Sequence, residues 1–130
     1  MRLVLVRHAE AAPGEPDELR SLTTIGREQA RRLGERLRAE GIAPEAVLTS
    51  PLLRARETGE ALGFGPPEPT DALAPGATAE DVRAAAAGRG GTVVVVAHQP
   101  DCGRIAAALG DGVEPPFPPA GMLVLDLPSW

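Results

Sequence analysis

The chain contains only two histidines, and each lies just after an apolar run. The first run, residues 3–6, is followed by Arg7 and His8, and the second, residues 92–97, is followed by His98. Continuous runs of this kind are typical of strands buried on both faces of a parallel sheet. In open α/β sheets, ligands bind at the carboxyl ends of such strands. The sequence therefore predicts a parallel sheet with both histidines at one binding edge.

Strand and helix patterns alternate along the whole chain. Apolar residues recur at helical spacing from Ile25 to Leu37, which predicts an amphipathic helix packed on a sheet and capped by Thr23 or Thr24. Further helices are predicted at about 51–62, 78–87 and 100–109. Further strands are predicted at 46–49, at the carboxyl-terminal edge 122–127 and, at most, at 70–73. This alternation predicts a single domain over residues 1–130, with a three-layer α/β/α fold and a mostly parallel central sheet.

Arginines accompany the predicted strand ends. Arg7 immediately precedes His8, and Ser50 with Pro51 after strand 46–49 predicts a serine cap and a proline at the first helical position. Arg54 then lies in the first turn of that helix, directed back towards the edge where His8 emerges. We therefore expect these two guanidinium groups and the histidines to share one site.

This combination of side chains suits a phosphoryl group. A guanidinium fork matches the spacing of phosphoryl oxygens and stays charged at all working pH values. Arg7, Arg54 and His98 would surround the oxygens, and His8 would attack phosphorus, since two nearby arginines oppose its protonation. Taken singly, each residue is more often an ordinary polar side chain; their shared position at strand ends favours phosphoryl transfer onto His8.

A metal site is the competing interpretation of a chain with two histidines. Glu10 and Asp101 lie near the histidines in the sequence, and two histidines with one carboxylate form a known ligand set. Arg7 and Arg54 would repel a cation at the same place. Phosphate is therefore the favoured ligand, and we expect neither a metal nor a cofactor.

The net charge and the cysteine content indicate which partners the chain binds and which cellular compartment it occupies. The net charge of −5 argues against nucleic acid or an anionic membrane surface as the main partner. The single cysteine, Cys102, excludes an intramolecular disulfide framework and is typical of a reducing compartment. No targeting segment is visible, and no apolar run approaches the roughly 20 residues of a spanning helix. We expect a cytoplasmic protein that is a monomer or a weak dimer.

Four motifs, in order along nearly the whole chain, resemble those of the histidine phosphatase superfamily, which has the phosphoglycerate mutase-like fold. They are the Arg-His pair at 7–8, LTTIGREQA at 22–30, SPLLRA at 50–55, and His98 after the valine-rich run. The resemblance implies a metal-independent phosphatase in which His8 forms a phosphohistidine intermediate. It also implies that Arg7 and Arg54 hold the phosphoryl oxygens and that His98 donates a further hydrogen bond in the transition state.

Within the superfamily, the chain is similar to the SixA branch, which is named for phosphohistidine phosphatase activity. The shared features are the short chain, the sequence HQP at 98–100, Arg20 just before the 22–30 motif, and Phe117 in a proline-rich loop. Ala9 stands where the superfamily usually has glycine. The resemblance implies that Arg20 assists phosphate binding at the rim of the site.

The superfamily's larger branches use a glutamate or aspartate as general acid for an alkoxide leaving group. The corresponding stretch here, residues 73–76, carries no carboxylate, although Glu10, Asp71 and Asp101 remain candidate acids. Imidazole leaving from phosphohistidine needs less protonation than an alkoxide. We therefore expect hydrolysis of phosphohistidine on a signalling or phosphotransfer protein. The alternatives are a broad-specificity small-molecule phosphomonoesterase or sugar phosphatase of the same superfamily, and a non-catalytic phosphate-binding domain.

Overall fold

Strands and helices alternate in the structure, a computed structural model that describes residues 1–130. The strands are β1 (Arg2–Arg7), β2 (Ala46–Thr49), β3 (Glu68–Pro69), β4 (Thr92–Ala97) and β5 (Met122–Asp126). The helices are α1 (Thr24–Ala39), α2 (Leu53–Ala61), α3 (Ala79–Ala86) and α4 (Asp101–Leu109). Two 3-10 helices, Asp17–Leu19 and Asp71–Leu73, lie in the connections. No helix is both long and apolar enough to span a membrane.

The five strands form one sheet in the order β3-β2-β4-β1-β5. All neighbouring pairs are parallel except β1 with β5, so the predicted mostly parallel sheet with the last strand at an edge is confirmed. The register pairs Arg7 of β1 with Ala97 of β4, and Val96 of β4 with Thr49 of β2. The residues that follow these three strands therefore emerge side by side at one edge.

Two apolar layers cover the sheet, which confirms the three-layer architecture. Side chains of β1 alternate between them: Leu3 and Leu5 pack in the cluster with α3 and α4, whereas Val4 and Val6 pack in the cluster with α1 and α2. All four side chains are fully buried. Burial of each contributes roughly 1.5–3 kcal/mol, which explains why both faces of the central strands must be apolar.

Helix α1 packs through the predicted face except at its first turn, since Ala30, Leu33 and Leu37 are buried as the helical spacing predicted. Thr23 caps it as expected, because its side chain accepts a hydrogen bond of 2.9 Å from the backbone N–H of Gly26. Ile25, however, is 62% exposed, so its predicted place in the apolar face is wrong. The buried face instead includes Gly26, where a Cβ atom would lie 2.0 Å from the carbonyl oxygen of Glu10. Close backbone packing, rather than an apolar side chain, fixes this end of the helix.

Helix α2 begins two residues later than predicted. Leu52 is its N-cap, so Pro51 does not occupy the first helical position. Ser50 still caps locally, because its Oγ accepts a hydrogen bond of 3.2 Å from the backbone N–H of Leu52. Arg54 remains in the first turn of α2, as predicted.

The predicted short strand at 70–73 is wrong. The strand that pairs with β2 is the two-residue β3, and Thr70 follows it as the N-cap of the 3-10 helix Asp71–Leu73. The Thr70 side chain accepts a hydrogen bond from Ala72 N, a use of threonine that competes with its preference for strands. The predicted helix at about 78–87 is confirmed as α3, which begins with a reciprocal capping box between Thr78 and Asp81.

Candidate active site

The two histidines lie next to each other, as their positions after β1 and β4 predicted. Their ring centroids are 5.2 Å apart, and the rings are tilted by 56°. The parallel register continues past the strand ends, since the backbone N–H of His8 donates to the carbonyl of Ala97 at 3.0 Å. His98 is only 4% exposed. Residues 90 positions apart therefore share one small space at the edge of the sheet.

The imidazole of His8 is held in one tautomer. Its Nδ1 lies 2.7 Å from the carbonyl oxygen of Ala9. Because a carbonyl oxygen only accepts, Nδ1 carries the proton and Nε2 keeps its lone pair. The backbone of Ala9 is fixed in turn, because its N–H donates to Oγ1 of Thr58 at 2.9 Å, and that hydroxyl donates to the carbonyl of Arg54 at 2.7 Å. Helix α2 thus positions the ring whose Nε2 is free to act as a nucleophile.

A serine that follows β2 orients His98. The Nε2 atom of His98 lies 2.7 Å from Oγ of Ser50, a fully buried residue. When this hydroxyl donates to Nε2, the ring proton is on Nδ1, which is buried and has no partner in the protein. Sequence reasoning identified Ser50 only as a helix cap; its position after the strand beside β4 was the available signal for this contact.

The two predicted arginines each keep one buried donor without a partner. Arg7 donates from Nη1 to the carbonyl of Phe117 at 3.0 Å, and Arg54 uses both of its terminal nitrogens on Asp17. The Nε atoms of both guanidinium groups are buried and unpaired, like Nδ1 of His98. Only one other buried side-chain atom, Oγ1 of Thr49, lacks a partner. Unpaired buried donors cost about 1–3 kcal/mol each, so the two guanidinium Nε donors, joined by Nδ1 of His98 in the tautomer that protonates it, indicate a place for an acceptor-rich ligand.

Asp17 is the residue of this site that sequence reasoning missed. Its Oδ2 accepts from Nη2 of Arg54 at 3.1 Å and its Oδ1 from Nη1 of Arg20 at 3.2 Å. Arg20 is further held through its Nε, which donates to the carbonyl of Ala12 at 2.8 Å. The hydrogen bond from Arg20, followed by that from Arg54, lowers the pKa of Asp17. Residues 12–21 are rich in proline, glycine and acidic side chains, a composition typical of a solvated loop, so the sequence carries no signal for this bridge.

Both imidazoles are neutral at physiological pH. Burial lowers the pKa of His8 to about 4, with further lowering by the charges of Arg54, Arg7 and Arg20 against the opposing hydrogen bond to the Ala9 carbonyl. Burial likewise lowers the pKa of His98 to about 3, and repulsion from His8 and Arg54 adds to this effect. The predicted opposition of the arginines to protonation of His8 is therefore confirmed, although burial is the larger cause.

None of the candidate general acids identified in the sequence forms a hydrogen bond with either histidine ring, whose partners are Ala9 and Ser50. Glu10 accepts a hydrogen bond of 2.6 Å from the hydroxyl of Thr23, and the buried Asp101 accepts one of 2.7 Å from Gly76 N. Asp71 is exposed on the second 3-10 helix. No group of three or more histidine, cysteine, aspartate or glutamate side chains comes together as a metal site. Metal independence stays a prediction.

Comparisons with known proteins identify the family that shares this fold. The sequence profile of the Histidine phosphatase superfamily (branch 1) matches residues 3–74. The chain is 32% identical to the phosphohistidine phosphatase SixA of Escherichia coli K12 over 90% of its own length and 79% of the relative, and 38% identical to a protein of Picosynechococcus sp. over 86% and 74%. The solved structure of the protein histidine phosphatase SixA complexed with tungstate superposes with a TM-score of 0.89 at 30% identity, covering 98% of this chain and 88% of that one.

Proposed function

This chain belongs to the histidine phosphatase superfamily, and from that premise we propose that it hydrolyses phosphohistidine on a signalling or phosphotransfer protein. The observation that carries the proposal is the set of unpaired buried donors beside the free Nε2 of His8: Nε of Arg7, Nε of Arg54 and Nδ1 of His98. Three donors from three different segments suit the three oxygens of one transferred phosphoryl group.

The chemistry then needs little beyond positioning and charge. Nε2 of His8 attacks phosphorus, the bond between phosphorus and the substrate nitrogen breaks, and its electron pair returns to the leaving imidazole. That imidazole leaves neutral when its far nitrogen already carries a proton. Arg7 and Arg54 stabilise the charge on the transferred oxygens, and His98 donates to one of them. Water then hydrolyses the phosphohistidine formed on His8 and releases inorganic phosphate.

The carboxylates around the site favour a nitrogen-linked substrate over an ester. An alkoxide leaving group needs a proton donor, whereas Glu10 and Asp101 are engaged elsewhere and Asp17, with its lowered pKa, is ionised at neutral pH. Two relatives support this substrate class through their names, phosphohistidine phosphatase SixA and protein histidine phosphatase SixA. The tungstate bound to the second is a tetrahedral oxyanion and supports only a phosphoryl site.

A comparison of substrates tests the proposal. We would offer a phosphohistidine-bearing protein and p-nitrophenyl phosphate, with and without EDTA, to the wild type and to His8→Ala, and would trap the acid-labile phosphoenzyme. We expect phosphohistidine turnover to be insensitive to EDTA and to fall by more than about a thousandfold in His8→Ala. Arg32→Gln, which alters an exposed arginine on α1, is the control.

Each of the other possible results would contradict a particular part of the proposal. Activity that survives the loss of His8 would contradict the covalent mechanism, and inhibition by EDTA would contradict metal independence. Faster turnover of small phosphomonoesters than of phosphohistidine would favour the small-molecule phosphatase. Phosphate binding without any turnover or phosphoenzyme would favour a non-catalytic domain.

A further inference from the structure

Asp17 occupies only one edge of the Arg54 guanidinium. The backbone carbonyl of Asp17 accepts from Nη1 at 2.9 Å, and its carboxylate accepts from Nη2 at 3.1 Å. These two bonds use the end of the guanidinium group, while the side edge that contains the unpaired Nε remains free. A phosphoryl group can therefore bind Arg54 through Nε while Asp17 stays in place. Asp17 would therefore lie beside the bound phosphoryl group and would not compete with it for Nε of Arg54.

The carboxylate of Asp17 also retains capacity to accept hydrogen bonds. Each of its oxygens accepts one hydrogen bond, from Arg20 or from Arg54, and the side chain is 58% exposed. A carboxylate offers about four acceptor positions, so roughly half of them face solvent. His98, by contrast, is almost completely buried. A substrate on the surface of another protein reaches the histidines from solvent, and Asp17 is an exposed carboxylate at that side that bonds to both Arg20 and Arg54.

From this position we infer that Asp17 is a specificity-determining residue that accepts a hydrogen bond from the far N–H of the leaving imidazole and so selects nitrogen-linked phosphoryl groups over oxygen-linked ones. The inference rests on the proposed function. In the proposed function, Arg7, Arg54 and His98 contact only the phosphoryl oxygens. Asp17 would be the residue that contacts the leaving group.

The proton balance of the step is complete. The far nitrogen of the phosphorylated imidazole must carry a proton if the ring is to leave neutral, and an ionised carboxylate beside that N–H stabilises this form. The phosphorus–nitrogen bond breaks, its electron pair stays on the leaving nitrogen, and the far N–H keeps its proton throughout. An aryl phosphate offers no such N–H, and its phenolate leaving group is repelled by the carboxylate. Asp17 should therefore raise the rate with nitrogen-linked substrates and lower the rate with aryl esters.

The ratio of two specificity constants isolates this effect. We would measure kcat/KM for phosphoimidazole and for p-nitrophenyl phosphate in the wild type, Asp17→Asn and Asp17→Ser. Both substrates carry the same phosphoryl group, so any change in the orientation of Arg54 or in phosphate affinity cancels in the ratio. The ratio is also independent of the fraction of folded enzyme. Glu18→Gln is the matched control, because it removes the same charge one residue away from an exposed side chain without hydrogen bonds to the site.

We expect the ratio of phosphoimidazole to p-nitrophenyl phosphate to fall about tenfold in both Asp17 variants, as loss of one charge-assisted hydrogen bond predicts, and to stay within about twofold in Glu18→Gln. An unchanged ratio in both Asp17 variants, with an active wild type, would overturn the role of Asp17 and leave the proposed function intact. A wild type that hydrolyses p-nitrophenyl phosphate but neither phosphoimidazole nor a phosphohistidine protein would overturn the proposed function and, with it, the inference.

Discussion

Acidification of the free enzyme should leave both imidazoles neutral until well below pH 6. With a pKa of about 4, only about 1% of His8 is protonated at pH 6, against about three quarters for a histidine at its ordinary value of 6.5. His98, with a pKa of about 3, should titrate still lower. The physical cause is the burial of both rings among positively charged groups, where a further cation is disfavoured.

The same shift makes the stability of the fold depend on pH. In the unfolded chain His8 binds a proton near pH 6.5, whereas in the folded chain it binds one only near pH 4. The unfolded state therefore binds more protons in this interval, and the free energy of unfolding falls as the pH falls from 6.5 towards 4. A change from 6.5 to about 4 corresponds to about 3 kcal/mol.

NMR measures these values directly, because the chain has only two histidines. We would follow the imidazole ¹⁵N resonances between pH 8 and pH 3 and assign them with His98→Asn. The urea-unfolded chain supplies the reference. Arg54→Gln should raise the pKa of His8, while the exposed Arg32→Gln should leave it unchanged. A midpoint near 6.5 for either ring in the folded protein would refute the argument from burial and charge.

Three substitutions test the supports of the site. Thr58→Val should cost about 1–3 kcal/mol in urea unfolding and lower kcat, because the buried N–H of Ala9 loses its acceptor; unchanged values would contradict this. Gly26→Ala should destabilise the fold by about 3 kcal/mol in thermal unfolding, since its Cβ would lie 2.0 Å from the Glu10 carbonyl oxygen. Helix propensity alone predicts a gain in stability, and such a gain would refute the argument from close packing. Arg54→Lys should lower kcat/KM about a hundredfold although the charge is kept, and wild-type activity would show that the fork is not needed.

The central part of the site could be predicted because two sequence signals coincide at the same positions. A valine-rich or leucine-rich run fixes a buried parallel strand, and the first polar residue after it marks the strand's carboxyl end. Neighbouring parallel strands end at one edge, so His8 and His98 had to meet if β1 and β4 were adjacent. Arg7 shares the end of β1, and Arg54 lies in the first turn of the helix after β2.

The parts that sequence reasoning missed depend on contacts between distant segments. Ile25 has the apolar character expected of a buried helix face, yet Gly26 beside it is buried because the chain after β1 passes too close for a side chain. Asp17 lies in a loop whose composition indicates only exposure to solvent. Its bridge between Arg20 and Arg54 depends on how that loop folds over the end of the sheet, which no local pattern records.

The neutrality of the histidines connects the electrostatics of the site to its chemistry. With both rings uncharged, the three guanidinium groups of Arg7, Arg20 and Arg54 and the carboxylate of Asp17 give the site a net charge of +2, which matches a phosphoryl dianion inside a chain whose net charge is −5. Protonation of His8 would raise that charge to +3 and, in the proposed mechanism, would also remove the lone pair that attacks phosphorus. If that mechanism holds, burial has two effects: it keeps the nucleophile neutral, and it limits the positive charge of the site to the value that balances a phosphoryl dianion.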